Sequence, residues 1–215
     1  TDINRMFPGY SLGETTQRIA AGVFDQVKEY SYGIQFASFY LPGDFILHVR
    51  MMETGYHNSS LASLFGLPYV VLRKPRPIDT TTLNYNWQLW ETSAFSVYTS
   101  ETDEVDEVSA RQAAAAILRF LTRMGILRYH NHSGYIASII SEDELTSVKT
   151  TAAGIYRRNK QPGEEVKMGD ELAEIIHPYE GGVISRVLSP TDGIIFFAHK
   201  KPLVTESEIV YKIIR

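Results

Sequence analysis

The most informative part of the sequence is Asn4-Arg5-Met6-Phe7-Pro8-Gly9, which is followed after three residues by Gly13-Glu14-Thr15-Thr16-Gln17-Arg18-Ile19-Ala20. The proline–glycine pair predicts a turn, and apolar residues recur at helical spacing beyond it. This spacing predicts a helix over 14–30 whose buried face carries Ile19, Val23, Phe24 and Val27. Asn4 and Arg5 precede the turn in a segment without the apolar periodicity of a core element, which favours a polar role for both side chains.

Outward from this helix, strand and helix patterns alternate as far as about residue 148. The β-type runs cover residues 32–40, 45–51, 67–72 and 94–98. Helical patterns follow capping residues at 58–60 and 80–82, and the clearest amphipathic helix is predicted over 109–124. Alternation of strands and helices predicts an α/β domain built on a sheet.

The pattern changes from about Val148 onward, where glycines and prolines separate short β-type runs. These runs cover residues 154–157, 172–176, 183–187, 194–197 and 209–213. Regularly spaced short strands with turn signals predict a small all-β module. We therefore predict two domains, an α/β domain over 1–148 and a small β domain over 149–215.

Composition excludes several classes of protein. The 215 residues contain no cysteine, so disulfides, thiolate nucleophiles and cysteine-based zinc sites are excluded. A formal net charge of −4 gives no long-range attraction for nucleic acid. No apolar run approaches the ~18 residues that a membrane-spanning helix needs. These features predict a cytoplasmic protein that binds neither nucleic acid nor a membrane.

The segment Asn4 to Ala20 resembles the Asn-Arg-x-Phe-Pro-Gly element and following helix of the succinylglutamate desuccinylase/aspartoacylase group, a branch of the zinc carboxypeptidase-like hydrolases. Segments 162–172 and 189–194 resemble the β module that ends many of those proteins. The resemblance implies a mixed-sheet zinc-carboxypeptidase-like domain followed by a barrel-sandwich-like β domain. Because the first residue is Thr1 and the resemblance covers only the later part of a family member, we expect the N-terminal part of the first domain to be absent.

Family membership implies a zinc ion held by a His-x-x-Glu pair and a later histidine, with a separate glutamate that moves the proton of the attacking water. The His-x-x-Glu pair would precede Thr1, and Gln35 falls where the later histidine is expected. Tyr98 falls at the usual position of the glutamate, with Glu101 three residues on as the alternative. A neutral amide is a poor zinc ligand, so this chain alone supports no metal cofactor.

The resemblance assigns Asn4 and Arg5 to the part that reads the substrate carboxylate, because a planar guanidinium matches a carboxylate with two parallel hydrogen bonds. Arg50, at the end of a predicted strand, is a further candidate, although strand-end arginines are commonly solvated. His130 and His132 are the only closely spaced histidines, and an extended chain would turn both to one side, as two metal ligands require. The Asn, Ser and Gly residues around this histidine pair favour a polar loop over a metal site.

The β module also resembles lipoyl and biotinyl carrier domains through its Gly-x-x-Val-x-x-Gly-Asp-x-Leu pattern. Those domains attach their cofactor to a lysine at a hairpin tip. The matching segment, 175–180, reads Ile-Ile-His-Pro-Tyr-Glu and has no lysine. The sequence therefore predicts the shape of such a module without the attached cofactor.

Two functions follow from the resemblance. The first is that of a zinc-dependent deacylase, which hydrolyses the amide bond of a small N-acyl amino acid or peptide and receives its metal-binding segment from an N-terminal part of the same protein. The alternative is a pseudoenzyme, a non-catalytic relative that binds a carboxylate ligand or a partner chain. Gln35 and Tyr98 favour the alternative for the chain as it stands, and whether it is an enzyme stays open.

Overall fold

The computed structural model describes residues 2–37, 41–100, 104–130 and 132–215. The chain divides into two compact units. The first unit comprises Thr1–Ala37, His48–Tyr98 and Ala113–Glu142, and the second comprises Ser38–Leu47, Thr99–Gln112 and Asp143–Arg215. That the chain forms two separate domains divided at residue 148 stays a prediction. Besides the C-terminal part of the chain, the second unit contains two earlier segments, Ser38–Leu47 and Thr99–Gln112.

Helices and strands alternate through the first part of the chain, and strands follow one another in the last part. In chain order the elements are α1 (Thr15–Val27), β1 (Tyr32–Phe36), β2 (Gly43–Phe45), β3 (His48–Met52), α2 (Ser59–Ser63), β4 (Tyr69–Arg73), α3 (Leu83–Leu89), β5 (Ser93–Tyr98), α4 (Glu107–Arg123), β6 (Ser138–Ser141), β7 (Thr146–Lys149), β8 (Gly154–Arg158), β9 (Glu165–Val166), β10 (Glu171–Ile176), β11 (Val183–Leu188), β12 (Gly193–His199), β13 (Leu203–Val204) and β14 (Ile209–Ile214). Single 3-10 turns lie at Ile3–Arg5, Pro77–Asp79 and Glu142–Glu144.

The first unit contains a five-stranded sheet in the order β1-β5-β3-β4-β6. The β3–β5 pair is antiparallel, and the other neighbours are parallel. Phe95 of β5 packs on one face of the sheet against Phe65, which follows α2, and Phe120 of α4, and all three rings are fully buried. The predicted mixed α/β fold is confirmed, with β6 as an additional strand.

The orientation of α1 differs from the prediction. The helix begins after Glu14, whose side chain and that of Gln17 form a reciprocal capping box, and it ends at Val27. Ala20 and Phe24 are its buried residues, whereas Ile19 and Val23 are 52% and 39% exposed. The prediction that Ile19 and Val23 face the core is therefore wrong. The apolar side chains of this helix occupy a wider arc than the arc that packs against the rest of the protein. The spacing of the residues alone does not show which part of the apolar arc is buried.

The turn after Arg5 is packed tightly onto α1. Phe7 joins Phe24 and Trp87 in one buried cluster. Its backbone N–H donates to the carbonyl of Thr81, and its carbonyl accepts from Asn86 Nδ2. Several elements thus fix the segment that carries Asn4 and Arg5.

The second unit is built from two sheets around a common apolar core. One sheet has the order β11-β10-β8-β13, and the other has the order β2-β12-β14-β7 with β9 paired to β12. Leu172, Ile175, Ile195, Tyr211 and Ile213 are completely buried between them. The β-type runs predicted beyond residue 148 all form strands. Strand β2, from much earlier in the chain, pairs with β12 and completes the second sheet.

Among the described residues, no helix is long and apolar enough to cross a membrane.

Candidate anion site

Polar side chains occupy one face of the sheet in the first unit. Gln35 of β1 and Arg50 of β3 both lie opposite Ser96 of β5, and His48 lies opposite Tyr98. Residues two apart on a strand, and residues directly opposite on neighbouring strands, share a face of the sheet. We refer to Gln35, His48, Arg50, Ser96 and Tyr98 as the polar row. Its members come from three strands, so sequence proximity does not reveal the set.

Asn4 and Arg5, predicted to read a carboxylate, lie against the turn before α3. The Oδ1 atom of Asn4 accepts a hydrogen bond of 3.1 Å from the N–H of Leu83 at the start of this helix. Arg5 Nη1 donates to the carbonyl of Ile78 at 3.0 Å and lies 3.5 Å from Asp79 Oδ1. The Arg5 side chain remains 30% exposed. Backbone contacts therefore hold the guanidinium while part of it faces solvent.

A buried ion network lies beside Arg5, and sequence reasoning missed it. Arg73, at the end of β4, donates from Nε and Nη2 to the carboxylate of Asp79 at 2.9 and 3.2 Å. Its Nη1 atom donates to both carboxylate oxygens of Glu142 at 2.8 Å. All three side chains are less than a tenth exposed. The Pro77–Asp79 turn after a buried strand hints at the Arg73–Asp79 pair, but Glu142 is 69 residues away and gives no local signal.

The pKa values of this network reflect its pairing. Burial alone would raise the pKa of Asp79, but hydrogen bonds from Arg73 and the N–H of Arg76, with the charges of Arg73 and Arg50, lower it. Burial alone would lower the pKa of Arg73, and its bonds to Asp79 and Glu142 raise it instead. Both groups are therefore ionised at neutral pH.

Several charged groups meet in this region. Among the described residues, Arg5, Arg50 and Arg73 bring positive charges close to Tyr98, and Asp79 and Glu142 are the buried carboxylates that pair with Arg73. Asp2 lies 3.9 Å from Arg5, but it is 64% exposed and water screens such a contact. The partly exposed guanidinium groups of Arg5 and Arg50 make this region suited to an anion.

Tyr98 is buried among rings and cations. Its ring stacks on that of His48 with centroids 5.0 Å apart, and the Arg50 guanidinium lies 4.3 Å from its centroid. Burial raises the pKa of Tyr98, while the charges of Arg50, Arg73 and Arg5 oppose that rise. Tyr98 is thus a neutral phenol at neutral pH and cannot take a proton as a glutamate carboxylate would. Glu101, the alternative candidate for that role, lies outside the described residues.

The donor set does not fit a zinc ion. The side-chain amide of Gln35 donates from Nε2 to Ser96 Oγ at 2.8 Å, which shows a hydrogen-bonding role. Within the described ranges, no group of three or more His, Cys, Asp or Glu residues is arranged to hold a metal. We therefore assign no chemical step to a metal held by these residues.

His130 and His132 lie in the loop between α4 and β6, away from the polar row in sequence and both exposed. His132 Nδ1 accepts a hydrogen bond from the N–H of Gly134 at 3.1 Å. The described residues add no third ligand that would complete a metal site with this pair. The structure thus brings Arg5 close to Asp79 and Arg50 close to Tyr98, and it leaves the two histidines in a separate loop.

Comparison with solved structures identifies the fold. A succinylglutamate desuccinylase/aspartoacylase from Rhodobacter sphaeroides matches with a TM-score of 0.79 and 19% identity, over 99% of this chain and 67% of that chain. The product-bound ectoine utilization protein EutE from Ruegeria pomeroyi matches with a TM-score of 0.80 and 17% identity over the same shares. A succinylglutamate desuccinylase from Silicibacter sp. gives 0.79 and 16%, again over 99% and 67%.

The sequence comparisons give no closer assignment. No protein-family model matches the sequence, and no curated protein matches it. The resemblance inferred from the Asn4–Gly9 segment is confirmed as a likeness of fold. The chain has the mixed α/β fold of the succinylglutamate desuccinylase/aspartoacylase proteins along 99% of its length, and identities below 20% carry the fold without the activity.

Proposed function

We propose that the first unit binds a small carboxylate ligand, such as a dicarboxylate or an N-acyl amino acid, through Arg5 and Arg50 without hydrolysing it. The observation that carries this proposal is the guanidinium of Arg5, which is held by the carbonyl of Ile78 at 3.0 Å and stays 30% exposed. A carboxylate could accept charge-assisted hydrogen bonds from the exposed part of this group. The fold, which is that of deacylase-type proteins, makes an acylated amino acid a fitting ligand.

Arg5 is the residue on which binding depends most. Its Nη1 atom is held by the carbonyl of Ile78, while the rest of the guanidinium is partly exposed. Because Nη1 contacts both the carbonyl of Ile78 and Asp79 Oδ1, the position of the group is restricted before a ligand arrives, which lowers the entropy cost of binding. Asn4 is engaged with the start of α3, so its contribution is to position Arg5.

We expect Arg5→Lys to weaken carboxylate binding by roughly 10- to 150-fold. Lysine keeps the charge but loses the planar fork, and a hydrogen bond to a charged group contributes about 1.5–3 kcal/mol. The free energy of unfolding should fall by about 1 kcal/mol or less, because lysine can still pair with Asp79. Calorimetric titration of both proteins with succinate, N-acetylaspartate and N-succinylglutamate measures the difference.

Arg111→Lys is the matched control. Arg111 is 71% exposed, and among the described residues its ion pair is with exposed Glu107, four residues away. This variant should bind the ligands like the wild type. The proposal fails if the wild type binds none of them, or if Arg5→Lys binds as tightly as Arg111→Lys.

The second candidate function is amide hydrolysis by a zinc-dependent deacylase, and the fold favours it. On this proposal the metal ligands come from a further segment of the same protein, because the residues described do not provide them. That segment would be an additional partner of the chain, beside its small ligand. A cytoplasmic location and the absence of nucleic-acid and membrane partners stay predictions from the sequence.

Metal analysis tests whether the residues of this chain hold zinc by themselves. After incubation with excess zinc and extensive dialysis, we expect the 215-residue chain to retain much less than one zinc per molecule. Close to one zinc per chain, lost in a His130→Ala/His132→Ala variant, would make the histidine pair ligands and contradict this expectation. Zinc-stimulated hydrolysis of N-succinylglutamate by the chain would favour the deacylase.

A further inference from the structure

Two arginines near the C-terminal end of α4 lack carboxylate partners. Arg119 and Arg123 are four residues apart, so their side chains share one side of the helix. Arg119 Nε donates to the carbonyl of Phe65 at 2.9 Å. Arg123 donates from Nη1 to the carbonyl of Leu64 at 2.9 Å and from Nη2 to that of Ser133 at 2.5 Å. Among the described residues, neither guanidinium forms an ion pair.

These contacts use a minority of the available donors. Each guanidinium carries five N–H groups, and the bonds above use one from Arg119 and two from Arg123. Burial and the positive charge of Arg123 lower the pKa of Arg119, which shows that the two charges repel. The C-terminal end of α4 contributes roughly half a negative charge, which is smaller than the two full positive charges beside it. An anion between the arginines would relieve their repulsion.

A small cavity lies at this position. It has a volume of about 80 Å³ and is lined by Arg119, Thr122, Arg123, Tyr129, His132 and Ser133. Since a water occupies about 30 Å³ in the liquid, the cavity has room for between two and three waters or one small oxyanion. Among the described residues, its lining carries two guanidiniums, a phenol, an imidazole and two hydroxyls, without a carboxylate or an aliphatic side chain. Because His132 Nδ1 accepts from Gly134, the imidazole carries its proton on Nε2.

The backbone around Arg119 is fixed by two glycines. Gly66 and Gly134 both have positive φ, +64° and +73°. A Cβ atom at either position would lie 2.9 or 2.8 Å from Arg119 Nε, so only glycine lets the chain close around the guanidinium. The N–H of Tyr135 also donates to the carbonyl of Gly66 at 2.9 Å. The guanidinium of Arg119 is therefore held in place before any ligand binds.

We propose that this cavity binds a phosphate group, as inorganic phosphate or as the end of a phosphate monoester. Two guanidinium forks, with donors from Tyr129 and His132, surround a space that suits a compact tetrahedral oxyanion better than a planar carboxylate. The cavity is distinct from the polar row. Phe120 of the same helix packs on Phe95, whose side chain points to the opposite face of the sheet from that of Ser96.

The test is calorimetric titration with phosphate at constant ionic strength, supplemented by the thermal midpoint in phosphate and in chloride. We expect saturable binding of one phosphate per chain. Arg123→Gln, which removes an exposed charge, should weaken this binding at least 10-fold. Arg111→Gln, on the same helix, and Arg5→Lys, at the carboxylate site, should leave it unchanged. Phenyl phosphate tests whether the ligand is a phosphate monoester or inorganic phosphate. If phenyl phosphate binds more tightly than phosphate, the ligand is a monoester, and if it binds more weakly, the ligand is the free ion.

If Arg123→Gln does not fold, a second variant, Tyr129→Phe, tests the same proposal. The Tyr129 side chain is 51% exposed, so Tyr129→Phe should fold normally and weaken phosphate binding several-fold. The proposal is overturned if the wild type shows no saturable phosphate binding beyond that of chloride. It is equally overturned if Arg123→Gln, or Tyr129→Phe in its place, binds phosphate as tightly as Arg111→Gln does.

Discussion

Gly9→Ala is expected to destabilise the first unit by about 2–6 kcal/mol. Gly9 has a φ of +90°, and a Cβ atom there would lie 2.2 Å from the backbone nitrogen of Ala21 and 2.6 Å from the carbonyl oxygen of Gln17. Strained backbone and overpacking each cost about 1–3 kcal/mol. Because the colliding atoms are backbone of α1, no change of rotamer relieves the collision, and the turn must move away from the helix.

Gly22→Ala, a glycine-to-alanine substitution within α1, is the matched control. Apart from the adjoining backbone of α1, no atom of the described residues lies within 4 Å of a Cβ placed at Gly22. Alanine in a helix interior is favoured over glycine by roughly 0.5–1 kcal/mol, so this variant should be slightly more stable than the wild type. Urea denaturation followed by tryptophan fluorescence measures both, since Trp87 lies in the cluster that contains Phe7. Equal stabilities of the two variants would show that the turn does not pack on α1 as described.

Arg73→Met is expected to cost about 3–5 kcal/mol at neutral pH. The substitution keeps much of the side-chain volume and leaves the carboxylates of Asp79 and Glu142 buried without their shared partner. Removing one member of a buried ion pair is costly because the remaining charge is not compensated. Arg111→Met, which removes an exposed arginine, should change the free energy of unfolding by less than about 0.5 kcal/mol.

The pH dependence gives an independent check of the Arg73 result. In the wild type the pKa of Asp79 is below its ordinary value of 3.8, so its contribution to stability is complete above that pH. The contribution is lost as the pH falls from 3.8 through the folded-state pKa. In Arg73→Met, protonation removes the uncompensated charge, so the difference from wild type should shrink on acidification. A difference that stays constant from pH 7 to pH 3 would exclude this ionic origin.

The strands of the second unit were predictable because their signals are local. Alternation and turn glycines mark β8, β10, β12 and β14, and each of these strands appears close to its predicted range. The helix α4 was predicted equally well, with Ala113, Ala116 and Phe120 buried along one side. Patterns within ten to fifteen residues are sufficient for such elements.

The candidate sites were less predictable because their members are distant in the chain. Arg5 was identified through the motif around it. The buried partners Arg73, Asp79 and Glu142 had no motif, and the contact between Arg73 and Glu142 spans 69 residues. The cavity between Arg119 and Arg123 likewise depends on carbonyls of the α2 end, more than 50 residues earlier.

Local chemistry therefore settles the elements of this protein: the turn at Pro8 and Gly9, the amphipathic helices, the β-rich last third, and the lack of cysteine for metal or disulfide chemistry. Long-range packing settles the rest. It buries Ala20 and Phe24 while Ile19 and Val23 stay exposed, and it adds β2 to a sheet formed by strands from the end of the chain. The physical reason is that the chemistry of an apolar or charged side chain determines which environment is favourable for it. Which residues form that environment is determined only when segments distant in the chain pack together.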